Sequence, residues 1–340
     1  MPVSIPATHS ILSTAALADF VQRQYAIAPI CECLLLTRGV NDSYLLRVDD
    51  AQYVLRVYQR NWRSAADIAY ELDILAHLHR RGVRVATALP CADGRVFTTI
   101  AAPEGERFVA LFHYAAGREI RYGDDAAPLA RAYGRAVAQV HLQSDAFHSE
   151  HARFELDLAE LLDRPLQLIQ TQLAARPADA AYFIDLAARL KAQICQIAPT
   201  LERGFCHGDF HGQNAHVDAE LAMTFFDFDC CGRGWRAYDL AVFCWQMRST
   251  NEHQQRCPEF FRAYLAQRPL AEQDLAAIPY FVAIRHLWWL ALLIHLAPSM
   301  GMGWINDRFW DRQLKFCREL DAECFAQSLN EIYALGSADL

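Results

Sequence analysis

The stretch that most constrains this chain is His207-Gly208-Asp209-Phe210-His211-Gly212-Gln213-Asn214, followed one short apolar run later by Phe225-Phe226-Asp227-Phe228-Asp229. An acid, an amide five positions on and a second acid at the end of the next apolar run give the order that phosphoryl transfer requires for a base and two oxygen ligands of a metal. A fold presenting all three needs a loop that wraps a centre and a short strand, Leu221–Phe226, that returns the second acid beside it. In that arrangement Asp209 is suited to accept the hydrogen bond and then the proton of an attacking hydroxyl. Asn214 and Asp227 offer the oxygen donors that Mg²⁺ prefers. Asp229 shares a face with Asp227 if strand geometry persists, which makes it either a further metal ligand or a brace for the loop.

A different chemistry fits part of the same stretch. His207, Asp209 and His211 alternate, and on a strand three metal-ligand types would share one face, as in a metal-dependent hydrolase. That reading leaves Asn214 without a task. In the phosphoryl-transfer reading both histidines hold the loop, with His207 bracing its backbone.

At 340 residues the chain exceeds the usual size of one core, so two lobes or one large domain are expected. With 53% hydrophobic and 21% charged residues it belongs with ordered globular proteins. A net charge of −8 supplies no general basic surface, which argues against nucleic acid as a partner. The 11 cysteines are scattered, show no paired C-x-x-C spacing and come without a secretory signal, a pattern of a reducing, cytoplasmic setting. The most apolar segment, Leu287–Leu296, is too short to span a bilayer and reads as a buried helix, so no membrane association is expected.

Along the chain, residues 13–25 carry Leu17, Phe20 and Val21 at helical spacing. From Cys33 the pattern changes to short β-branched runs, with Ser43–Val48 and Tyr53–Tyr58 forming a hairpin signal in which Arg56 faces opposite to Leu55 and Val57. Residues 64–81 read as a capped helix, with Ser64 and Asp67 as the capping box and Glu71 at the edge of the apolar stripe, where an ion pair with Arg56 is to be sought. Two further strands, Arg95–Ile100 and Phe108–Tyr114, precede Ala115-Ala116-Gly117, after which helical patterns take over, among them Leu129–Leu142, Leu156–Leu162 and Tyr182–Ile197. These patterns predict an α+β chain with a β-rich lobe over residues 1–114 and a larger helical lobe over 115–340.

The string HGDFHGQN, then FDFD, then Tyr238-Asp239-Leu240-Ala241 resembles the aminoglycoside phosphotransferase, choline kinase and type II homoserine kinase group. With YVLRVYQRNW upstream it is most similar to the bacterial branch of homoserine-kinase-like proteins and stress-response kinase A. The resemblance implies a bilobal protein-kinase-like fold and a cytoplasmic transferase that moves the γ-phosphate of ATP, with Mg²⁺, to a hydroxyl. It implies Asp209 as base, Asn214 and Asp227 as magnesium ligands, and Asp239 as a structural brace of the catalytic loop. Gly39, Val40, Asn41 and Ser43 would cover the ATP phosphates, and His113, Tyr114 and Ala115 would meet adenine through the backbone. Arg56, paired with Glu71, would stand where such kinases carry a phosphate-binding Lys, and the two side chains are not interchangeable. His211, Arg285, His286, Trp288, Trp304 and Asp307 are the candidates for the walls of the acceptor site.

A small-molecule acceptor of the homoserine, choline or aminoglycoside type is the expected substrate. A protein serine or threonine is the alternative. Arg56 also keeps a nucleotide-binding pseudokinase in view. Neither fold nor motif names the acceptor.

Overall fold

The structure, a computed structural model, describes residues 5–121, 124–250 and 252–324. The chain forms two compact units. The first runs through Ala116 and takes back His148–Arg153; the second holds Gly117–Phe147 and continues from Phe154. A single boundary near Ala115 does not give the returning segment. It is held in the first unit by Arg153 Nη1, which donates to the Asp67 carbonyl at 2.9 Å, and by Ser149 Oγ, which donates to Asp73 at 2.6 Å.

The first unit is built from α1 (Thr14–Gln24), β1 (Glu32–Arg38), β2 (Asp42–Val48), β3 (Ala51–Val57), α2 (Ala65–Arg80), β4 (Ala88–Leu89), β5 (Thr98–Ala102) and β6 (Gly105–His113). The strands make one antiparallel sheet ordered β1-β2-β3-β6-β4, with β5 also on β6. Alternation places Tyr44, Leu46, Leu55, Val57, Val109 and Leu111 in one buried cluster with Leu17, Val21 and Tyr25 from the α1 region. The expected capping box forms at the start of α2, where Ser64 Oγ accepts from the Asp67 N–H and Asp67 accepts from the Ser64 N–H. It fixes the register of α2, and with it the position of Glu71.

The second unit comprises β7 (Arg118–Glu119), α3 (Ala126–Ser144), β8 (Glu155–Leu156), α4 (Arg164–Gln172), α5 (Pro177–Ile197), β9 (Arg203–Cys206), β10 (Ala215–Val217), β11 (Met223–Phe225), β12 (Gly232–Trp235), α6 (Arg236–Ser249), α7 (His253–Leu265), α8 (Glu272–Met300) and α9 (Asp307–Cys324). Two three-stranded sheets, β11-β10-β7 and β8-β12-β9, carry the motif residues, and the helices supply the core. The helix expected over residues 156–162 begins later and runs on into α4. Glu155 and Leu156 pair in parallel with Arg233 and Gly234, and a π-helical turn, Ala159–Asp163, leads directly into α4, with Pro165 at its start.

Among the described residues one helix, α8, is long and apolar enough to cross a membrane, and 72% of its most apolar stretch is buried inside the protein. The aromatic segment inside it, Leu287–Leu296, packs as the core helix its sequence suggested.

Candidate active site

β9 ends at Cys206, and the chain leaves it through Gly208, whose φ of +79° is a conformation that disfavours any side chain. A Cβ on Gly208 would also lie 2.3 Å from the Cys230 carbonyl oxygen. The turn therefore breaks the alternation on which a three-ligand strand would depend. His207, Asp209 and His211 do not share a strand face, and among the described residues no group of three or more His, Cys, Asp or Glu is placed to hold a metal ion.

What the turn builds instead is a loop fastened at several points. The buried Asp239 of α6 accepts the N–H of His207 on Oδ2 and that of Gly208 on Oδ1, both at 2.7 Å. Its Oδ2 also meets His141 Nε2 from α3 at 3.0 Å, and His141 Nδ1 lies 2.8 Å from the Tyr264 hydroxyl of α7. His207 Nδ1 accepts the N–H of Asp209 at 3.2 Å, so its Nε2–H donates to the Phe226 carbonyl at 3.1 Å. Burial keeps this imidazole neutral by pushing its pKa down to about 4. One histidine thus ties the Asp209 loop to the segment leading into Asp227. Farther along, Tyr133 donates to the His211 carbonyl at 3.0 Å and Gln246 accepts the Gly212 N–H at 2.6 Å.

Asn214 and Asp227 are brought together by a hairpin. Ala215 pairs with Phe225 across β10 and β11, and the Phe226 N–H donates to the Asn214 carbonyl at 3.0 Å. Asp227 follows directly, in the left-handed region at φ 61°, ψ 60°, a conformation unfavourable for a non-glycine residue and concentrated at functional sites. Strand geometry ends at Phe225, and Asp229 lies buried in a 3₁₀ turn, Phe228–Cys230. The expectation that Asp227 and Asp229 share a strand face is therefore not met.

The Asp209 carboxylate is held from both sides. Arg285 Nη2 of α8 donates to Oδ1, while Asn214 Nδ2 donates to Oδ2 at 2.9 Å and to the Asp209 carbonyl at 3.0 Å; His211 Nε2 lies 3.2 Å from Oδ2. Burial alone would raise this pKa, but the neighbouring His211 imidazole and the Arg285 guanidinium outweigh it and hold the group well below the ordinary carboxylate range. The amide nitrogen of Asn214 being engaged with Asp209, its Oδ1 is the atom left for a metal. With the Asp227 carboxylate this makes an all-oxygen donor set that suits a hard divalent cation.

Other residues singled out in the sequence are distributed as follows. In the first unit Arg56 Nη1 donates to Glu71 Oε1 at 2.8 Å, and Tyr58 donates to Glu71 Oε2 at 3.0 Å, all three buried. Ser43 is the cross-strand partner of Arg56, and the preceding turn is closed by Gly39 N–H to the Asn41 carbonyl at 3.2 Å, with Asn41 Oδ1 accepting from Gln59 N–H at 3.0 Å; Val40 lies inside it. His113 and Tyr114 donate their N–H groups to the carbonyls of Thr87 and Gln52, and Ala115 is buried.

In the second unit Trp288 joins the centre, its ring 4.5 Å from the Arg285 guanidinium carbon. His286 points elsewhere, accepting from Trp245 Nε1 at 3.2 Å and packing on Phe316. Trp304 packs on Phe309, and Asp307 is an exposed side chain that accepts from Arg176 at 3.4 Å. Neither Trp304 nor Asp307 makes a described contact with the Asp209 group.

Against known proteins, the model of the phosphotransferase enzyme family matches residues 35–278. The chain belongs to that family. The phosphotransferase is 39% identical over 320 residues to an uncharacterized protein of Deinococcus radiodurans, covering 93% of this chain and 92% of that one. It is 28% identical over 297 residues to a homoserine kinase of Bradyrhizobium, covering 83% and 85%. Among solved structures it is similar to a microcompartment-associated aminopropanol kinase, with a TM-score of 0.75, 23% identity and coverage of 94% and 98%. An amicoumacin kinase aligns with a TM-score of 0.75 at 20% identity, covering 91% and 93%. The phosphotransferase has the protein-kinase-like fold of these neighbours, with a β-sheet unit followed by a larger helical one.

Proposed function

We propose that this phosphotransferase moves the γ-phosphoryl group of ATP to the hydroxyl of a small amino alcohol or hydroxy amino acid of the homoserine kind. The observation that carries this reading is the Asp209 carboxylate, fixed by Arg285, Asn214 and His211 and one hairpin ladder away from Asp227. The homoserine kinase and aminopropanol kinase relatives support the acceptor class.

In this mechanism Asp209 accepts the hydrogen bond of the acceptor hydroxyl and aims its oxygen. A carboxylate held so far toward its ionised form is a weak base, so it takes the proton late, as the oxygen forms its bond to phosphorus and the hydroxyl becomes acidic. The proton then passes from Asp209 to solvent. Asn214 Oδ1 and the Asp227 carboxylate would hold Mg²⁺, with Asp229 bracing the turn; the ion would neutralise the charge of the phosphate oxygens. His207 and Asp239 keep the loop in place. In the first unit the Gly39–Ser43 turn and Arg56, oriented by Glu71, serve the phosphates, and the His113–Ala115 segment serves adenine. Arg56 keeps the positive charge of the usual Lys and adds a planar fork.

The test is a transfer assay with ³²P-labelled ATP and magnesium against L-homoserine, 1-amino-2-propanol, choline, aminoglycosides and a generic protein substrate. Labelled homoserine or aminopropanol is the expected product, and label on the protein substrate alone would refute the acceptor class. Asp209→Asn should lower transfer about 10³-fold while the thermal shift with ATP and magnesium persists.

A further inference from the structure

Arg285 is a costly residue for its place. It lies on α8 in an apolar, largely buried run, is itself 2% exposed, and its Nε is buried with no hydrogen-bond partner among the described residues. Among the described residues it donates to the catalytic loop, Nη2 to Asp209 Oδ1 and Nη1 to the Gly208 carbonyl at 3.3 Å, and the Tyr238 hydroxyl lies beside it. The guanidinium carbon lies 4.5 Å from the ring centroid of Trp288, one turn along the same helix, and 5.1 Å from that of Trp245 on α6. A buried ion pair is a weak source of net stability, because desolvation offsets most of the attraction. A planar guanidinium steered by aromatic faces is, by contrast, a strong source of orientation.

We infer that Arg285 is the positioning residue of the transfer reaction: steered by Trp245 and Trp288, it fixes the plane of the Asp209 carboxylate and the Gly208 peptide, so that the base meets the acceptor oxygen in line for attack. Asn214 and His211 hold Oδ2 from within the loop, and Arg285 holds Oδ1 from α8. This inference rests on the role proposed for Asp209. It assigns Arg285 to the base in place of the acceptor wall.

The experiment measures phosphoryl transfer to L-homoserine and to 1-amino-2-propanol and, separately, magnesium-ATP hydrolysis with water as acceptor, for the unaltered protein, Arg285→Lys, Arg285→Ala, Asp209→Asn and the double variant Asp209→Asn/Arg285→Ala. Arg285→Lys keeps the charge and loses the fork, and is expected to lower kcat about 10-fold or more with KM for ATP and acceptor within about threefold. Arg285→Ala should lose about 100-fold, and low-millimolar guanidinium, added below denaturing concentration, should restore roughly tenfold of that where methylammonium does not. The double variant should be no slower than Asp209→Asn, because the two side chains act as one unit.

Full kcat in both Arg285 variants would overturn the inference while leaving the transfer reading intact. So would an Arg285→Ala loss that is not relieved by guanidinium, or one that multiplies with the Asp209→Asn loss; a residue that only props up the fold would behave in that way. Hydrolysis without transfer to either L-homoserine or 1-amino-2-propanol would overturn the acceptor reading alone, and the Arg285 series is then decided on hydrolysis. Absence of both rates from the unaltered protein would overturn the two together.

Discussion

Asp239→Asn isolates how strongly the catalytic loop depends on its support. The native carboxylate offers two acceptor oxygens to three donors: Gly208 N–H on Oδ1, and His207 N–H together with His141 Nε2 on Oδ2. Asparagine replaces one oxygen by an NH₂ group. With the nitrogen at Oδ1 it faces the Gly208 N–H; with the nitrogen at Oδ2 it faces the His207 N–H, and the second donor is relieved only if His141 changes tautomer. Either way a fully buried backbone N–H loses its acceptor, at about 1–3 kcal/mol, and the charge-assisted strength of the remaining bonds falls as well. We expect a total of about 3 kcal/mol, a large part of a typical folding stability, read as a fall in melting temperature of roughly 4 °C. Because the loop carries Asp209, kcat should fall about 100-fold if its position shifts by even an ångström. Thermal unfolding and a transfer assay at pH 8 measure both. A variant within about 1 °C and twofold of the parent would show that the loop holds itself, and the reasoning would be wrong.

Three further outcomes are expected. Gly134→Ala would improve helix propensity by about 1 kcal/mol, but its Cβ would stand 2.2 Å from the Phe260 carbonyl oxygen, so net destabilisation of about 2 kcal/mol or more is expected in thermal unfolding. Glu71→Ala strips a buried partner from Arg56 and Tyr58 and should cost about 3–5 kcal/mol with KM for ATP raised about tenfold; an unchanged KM would remove Arg56 from the nucleotide site. Burial holds the folded pKa of His207 down to about 4 and that of His286 to about 3, both below the unfolded value. The stability these two neutral histidines contribute is therefore present above pH 6.5 and is lost as pH falls, by about 2 kcal/mol per histidine at pH 5, while the buried Asp239 carboxyl, raised to about 7, acts in the opposite direction over the same range. His286→Phe should flatten that limb of a melting-temperature profile by one proton's worth relative to the parent, and parallel profiles of the two proteins from pH 7 to 5 would contradict it.

Which parts of this molecule can be read from its sequence follows from the range of the interactions. Ser64 and Asp67 cap α2 from three residues apart, and Asp209 meets Asn214 from five, so local spacing fixed both. The facing of Arg56 and Leu55 followed from strand alternation alone. The supports of the site come from far away: His141 reaches Asp239 across 98 residues, Gln246 reaches Gly212 across 34, and Arg285 reaches Asp209 across 76. Periodicity names the buried face on which such residues lie but not their partners. A signal was there in retrospect, since an arginine inside an apolar helix and a histidine on the buried face of α3 both demand a polar counterpart. Asp229 shows the opposite case: the alternation rule failed because Asp227 adopts a left-handed conformation, which no residue pattern around it announces.

The hairpin of β10 and β11 separates two things that are usually coupled, namely the length of chain between two functional oxygens and the distance between them. Asn214 and Asp227 are spaced by the rungs Ala215–Phe225, His216–Thr224 and Val217–Met223, while the turn at Asp218–Ala222, closed by its own hydrogen bonds, lies at the far end of the ladder. Residues inserted beside the exposed Leu221 would lengthen the connection and leave the spacing of the two oxygens unchanged. That turn is a port where a reporter or a second module can be spliced into the catalytic unit without retuning its chemistry.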